Sequence, residues 1–121
     1  MTLQELLQGP PIQLGRAKLR NLNAVKKLGW TTAVVALQDG TKKELLAKVG
    51  RALRFPSHYG QNWDALKDCL CSIEATGGVM LEIRGADQLD PVDRGILEEV
   101  VADSAAILAE SGLLLRVLLA P

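Results

Sequence analysis

Apolar residues fall into two rhythms along this chain. TTAVVALQ (31–38) is a β-branched, continuous apolar run of strand length that ends at the turn signal Asp39-Gly40. VMLEIRG (79–85) and LLLRVLLA (113–120) repeat the pattern after Gly77-Gly78 and after Ser111-Gly112. Between them the spacing becomes helical. Thr41 is placed to cap a helix with Glu44 as its capping-box partner, and Leu45, Leu46, Val49, Ala52 and Leu53 mark its buried face before Phe55-Pro56 ends it. Asn62, Leu66, Cys69, Leu70 and Ile73 form an apolar stripe with one polar end, bordered by Trp63, on a second helix running to about Ile73. Asp90-Pro91 opens a third, running to about Glu110 with Ile96, Val100, Ala106 and Ile107 among its apolar positions. Three apolar strands separated by helices predict an α/β fold: a three-stranded parallel sheet with right-handed crossovers and helices packed on it.

The first 30 residues are less regular. TLQELLQ reads as one or two helical turns, Ile12-Gln13-Leu14 is compatible with a short strand, and LNAVKKLG reads as a helix ending at Gly29. Net charge is zero overall but uneven. Residues 1–30 carry Arg16, Lys18, Arg20, Lys26 and Lys27 against Glu5, a balance of +4, and residues 31–121 carry −4. The expected organisation is a basic N-terminal extension, 1–30, packed on a mildly acidic domain, 31–121. Leu14, Leu22, Val25 and Leu28 would supply apolar cover. In a competing arrangement Arg16, Lys18 or Arg20 would lie over acids of the domain and occlude them.

A hydrophobic content of 48% in 121 residues supports one globular domain. Aromatics are only 3%, so the core must be built from Leu, Val, Ile and Ala. No apolar run approaches the roughly 18 residues of a membrane span, and MTLQELLQGPP lacks the basic start and apolar stretch of a secretory signal, so the expected location is the cytoplasm. Cys69 and Cys71 point about 200° apart on a helix and cannot pair with each other; they read as reduced thiols, Cys69 buried and Cys71 partly exposed. Neither they nor the single histidine have metal-ligand spacing. There is no phosphate-binding glycine motif, and helix capping accounts for Asp90 and Asp93.

The chemistry concentrates in HYGQNWDALKDCLC (58–71). Asp64 and Asp68 stand at i and i+4 on one helical face, opposite the apolar stripe. Stacked like charges cost an isolated helix a few tenths of a kcal/mol. The helix dipole and Asn62 as N-cap rationalise Asp64 in the first turn but not Asp68. A cationic partner rationalises both. An acidic surface suits a basic protein and argues against direct contact with nucleic acid. His58 precedes the helix on a turn; a catalytic pairing with Asp64 or Asp68 lacks a clearly placed nucleophile.

FPSHYGQNWDALKDCL resembles the signature segment of the barstar family, bacterial intracellular inhibitors of the ribonuclease barnase. Tyr59, Gly60, Asn62, Asp64, Ala65, Leu66, Asp68, Cys69 and Leu70 carry the resemblance, and the order of elements agrees from about residue 31 onward. The resemblance implies a barstar-like domain that is not an enzyme and takes no cofactor. It would bind a basic, barnase-like ribonuclease or related toxin, with 1:1 stoichiometry, and contact no membrane. The acidic helix and the turn before it would plug the nuclease active site through His58, Tyr59, Gly60, Trp63, Asp64, Lys67, Asp68 and Cys71. The carboxylates would occupy phosphate subsites lined by cations.

The periphery departs from the family pattern. Lys67 stands where the family carries a large aromatic, His58 where it has an aromatic contact, and Trp63 where it has a smaller apolar residue. Ile107 stands where it has a glutamate on the final helix. These changes fit a different cognate nuclease. They fit equally a protein–protein interaction or regulatory module of barstar fold whose partner is not a nuclease.

Overall fold

The computed structural model describes residues 2–121. Elements follow in the order α1 (Leu3–Gln8), β1 (Ile12–Leu14), α2 (Leu19–Lys27), β2 (Thr31–Ala36), α3 (Lys42–Ala52), α4 (Trp63–Cys71), β3 (Gly78–Arg84), a one-turn 3₁₀ helix (Ala86–Gln88), α5 (Pro91–Glu110) and β4 (Leu114–Ala120). The sheet is fully parallel and has four strands, in the order β1-β4-β3-β2. The three-stranded expectation is therefore corrected. Ile12–Leu14 docks on the outer side of β4, with Ile12 beside Val117. The short strand that the sequence allowed at Ile12-Gln13-Leu14 does form, but three residues are too few for period-2 alternation to say that it joins the sheet.

Side-chain alternation sorts the sheet into two faces. Ala33, Val35, Val79, Leu81, Ile83, Leu115, Val117 and Leu119 pack in the main core with Leu45, Leu46 and Val49 of α3, Leu66 and Leu70 of α4, and Leu97, Val101 and Leu108 of α5. Met80 and Leu118 point the other way, into a smaller core with Leu6 of α1, Val25 of α2 and Trp30. Gly78 lets the Trp30 ring rest on the strand, since a Cβ there would lie 2.8 Å from the indole. Helices thus cover both faces, as continuous apolar parallel strands require.

Two buried charges tie the first 17 residues to the second face. Glu82 is fully buried; one carboxylate oxygen accepts from the Ala17 N–H at 2.8 Å and the other from Arg84 Nε at 2.6 Å. Arg116, also buried, donates to the Leu6 carbonyl at 2.9 Å and the Leu7 carbonyl at 2.8 Å. Burial holds its guanidinium below the usual arginine range. Of the four residues expected to supply apolar cover, Leu22 and Val25 do so, whereas Leu14 and Leu28 are exposed.

Local signals placed the helix starts correctly. Thr41 Oγ1 accepts from the Glu44 N–H at 3.1 Å, and Asp90 Oδ1 from the Val92 N–H at 2.8 Å. The Glu44 carboxylate, however, does not return to Thr41. It takes the N–H groups of Gln38, Asp39 and Gly40, and so clamps the β2–α3 turn. The apolar face of α5 also differs from expectation. Val100 is buried with Leu97, Val101, Ser104, Ala105 and Leu108, while Ala106 and Ile107 face solvent. Small residues around this helix blur its periodicity.

Candidate functional site

The acidic helix is short and firmly seated. Asn62 is its N-cap, its Oδ1 accepting from the Ala65 N–H at 2.7 Å. The helix ends at Cys71, with Ser72 as C-cap, two residues before the expected Ile73. Leu66 and Leu70 are fully buried against α3 and α5. Anchoring one face fixes the direction of the other. Asp64 and Asp68 are both exposed there, one turn apart. Among the described residues neither carboxylate has a hydrogen-bond or ion-pair partner.

The turn before α4 is built around an inward tyrosine. Tyr59 is half-buried, and its ring meets Phe55 edge-on at 5.0 Å between centroids. It lies so close to α3 that a Cβ on Gly50 would come within 2.6 Å of it. Its hydroxyl is buried without a partner. Burial, and then the neighbouring Cys69 thiol, push the phenol up to about 12. Tyr59 therefore supports the loop from behind, and its neighbour His58 is exposed. Gln61 adopts a left-handed φ of 50° just ahead of the cap, a conformation that costs a non-glycine residue about 1 kcal/mol or more. Gly60, exposed, gives the loop room beside Asn62.

Trp63 is half-buried against the main core, with Lys42 Nζ 5.6 Å from its ring centroid. Lys67 Nζ lies 3.7 Å from an Asp103 carboxylate oxygen on α5. Both side chains are about half exposed, so the pair adds little stability. It does change the charge seen by a partner, because the Lys67 ammonium beside the acids is offset from within the molecule. Asp103 was missed in the sequence. It sits one turn before Ile107, on the same side of α5, where only the expected glutamate position was considered. Cys69 and Cys71 are free and both partly exposed, so the expectation of a buried Cys69 is corrected. Burial and then the adjacent Asp68 carboxylate raise the Cys69 thiol above its usual range, which makes it a poor nucleophile.

A cleft of about 730 Å³ borders the acidic helix. Thr31 and Thr32 of β2, Arg54, Phe55 and His58 of the connecting loop, and Asp68, Ser72 and Glu74 line it. These residues come from three separate segments, so no linear spacing could reveal it. It brings His58 and Asp68 to one surface, with Tyr59 behind, and leaves Asp64, Trp63 and Lys67 on the adjoining helix face. Among the described residues, no group of three His, Cys, Asp or Glu is gathered for a metal ion, and no helix is long and apolar enough to cross a membrane.

Residues 32–120 match the model of a family described as Barstar (barnase inhibitor). No curated protein matches the chain.

Proposed function

The chain belongs to the barstar family, and on that premise we propose that it inhibits a basic ribonuclease of barnase type by seating its acidic helix in the nuclease active site. The family's members are inhibitors rather than enzymes. The observation that carries the reading is the pair of unpartnered carboxylates, Asp64 and Asp68, on a helix whose other face is locked in the core. A pre-positioned acid meets a guanidinium or ammonium group with little ordering cost, and charge-assisted bonds are the strong ones. Asp103 supports the reading, since it offsets Lys67 and keeps the face net acidic. In this reading Trp63, Gly60 and His58 form the rim of the contact and exclude water from it. Cys71 borders it.

Asp68 is the expected central anchor, because it stands between the helix face and the cleft. Calorimetric titration with a barnase-type ribonuclease tests this. Asp68→Ala should cost about 2 kcal/mol or more, roughly 30-fold in Kd; that threshold defines interface hot spots, for which barstar's own acids are a reference case. Asp64→Ala should cost less and should slightly destabilise the free protein, since it also serves the helix dipole. Losses below about 0.5 kcal/mol for both variants would exclude this face as the interface.

A further inference from the structure

The two edges of the sheet are treated differently. The β1 edge is three residues long and follows Pro10-Pro11, and shortness and proline both discourage further pairing. The β2 edge runs for six residues, TTAVVA, with no proline, bulge or inward charge. Leu37 N–H donates to the Arg84 carbonyl. By alternation, the main-chain groups of Ala33 and Val35 face β3, and those of Thr32, Val34 and Ala36 face outward. The outward set is capped only at its end, where Lys48 Nζ donates to the Ala36 carbonyl at 2.7 Å. Val34, in the middle, is 42% exposed. An open β-branched edge of this kind is a template for another strand.

The charge along that edge is polarised. At its N-terminal end the cleft carries Asp68 and Glu74 against Arg54. At its C-terminal end a second hollow, sharing Ala52 with the first, carries Arg51 and Lys48. Lys48 is paired with Glu44 at 2.9 Å, so among the described residues Arg51 is the uncompensated cation that makes this end basic. We propose that β2 is the interface of a homodimer, in which β2 pairs antiparallel with β2 of a second copy about a two-fold axis at Val34. Thr32 of each copy then faces Ala36 of the other, and the two sheets join into one. Antiparallel pairing turns the second copy end for end, so the acidic end of each meets the basic end of the other, twice. A parallel arrangement would set like charge against like and would not close. The symmetry is isologous and self-limiting. One strand pair buries little area, so the dimer is weak and concentration-dependent. The inference does not rest on what the acidic helix binds.

Sedimentation equilibrium on the full chain, from micromolar to near-millimolar concentration, tests the proposal. The mass should rise from 13.0 kDa toward twice that value. Val34→Pro removes an outward donor without touching the β3 ladder, and Val34→Lys sets like charges face to face across the axis. Both should remain monomeric with unchanged circular dichroism and melting. Arg51→Glu should weaken association several-fold at low salt. A wild-type chain that stays monomeric throughout, or one that associates equally in both Val34 variants, would overturn the inference. So would Val34 variants that lose ribonuclease affinity while the wild type shows no self-association, since the edge would then serve a segment of another protein.

Discussion

Gly50 and Tyr59 show how one residue choice sets the site from a distance. Alanine is normally the better helix residue, by about 0.5–1 kcal/mol. At Gly50 a methyl group would collide with the Tyr59 ring, which packs edge-on against Phe55. Gly50→Ala should therefore destabilise by about 1–3 kcal/mol, the cost of overpacking, and should loosen nuclease binding by displacing His58 and the α4 cap. Thermal melting and calorimetry on the same variant check both effects; a variant that melts higher than the parent would refute the account. Nothing in the sequence marks this contact. A glycine inside a helical pattern reads as a mild defect until the ring across from it is known.

Among the elements, the β2–α3 turn and the acidic helix were legible because their signals are local. Asn62, Thr41 and Asp90 each bond within three residues of themselves, and caps of that kind depend on little else. Where a side chain reached further, the reading failed, as with Glu44. Burial alone would raise its carboxyl. The N–H groups of Gln38, Gly40 and Asp39 and the Lys48 ammonium outweigh that and hold it near 2, below its ordinary 4.5. The sign follows from linkage: a depressed carboxyl stabilises the fold above pH 4.5, and that contribution is lost as pH falls from there toward 2. Glu44→Gln should accordingly melt lower than the parent at pH 7, and the difference should shrink as the pH drops through that range. Melting curves across pH measure it. A gap that stays constant would assign the stabilisation to hydrogen bonding alone. The helix α5 was misread for another reason: with alanine and serine in its buried stripe, Ile107 stood out in the sequence as apolar although it faces water.

For the whole molecule, the α/β layout and the parallel direction of the strands in the last 90 residues were readable from apolar runs, whereas the order of the strands and the second face of the sheet were not. Glu82 and Arg116 sit in strands that otherwise read as apolar, and besides the nearby Arg84 side chain and Leu115 carbonyl they reach main-chain groups 65 and 110 residues away in sequence. Such pairs leave no periodic trace. They also make the N-terminal segment part of the fold. Removing residues 1–29 would strip Leu6 and Val25 from the second core, expose Trp30, Met80 and Leu118, and take from two buried charges the backbone partners that Ala17, Leu6 and Leu7 supply. Each lost apolar side chain is worth about 1.5–3 kcal/mol, and together they rival the 5–15 kcal/mol margin of a typical domain. The truncated chain should lose cooperative melting. Leu6→Ala is the milder test, expected to cost about 2–5 kcal/mol. Because α1 and α2 lie across the sheet from α4, its folded fraction should bind a barnase-type ribonuclease with unchanged Kd. Tighter binding by Leu6→Ala would point instead to basic residues of the N-terminal segment reaching Asp64 and Asp68, and a truncated chain that melts like the parent would show that the second core stabilises nothing.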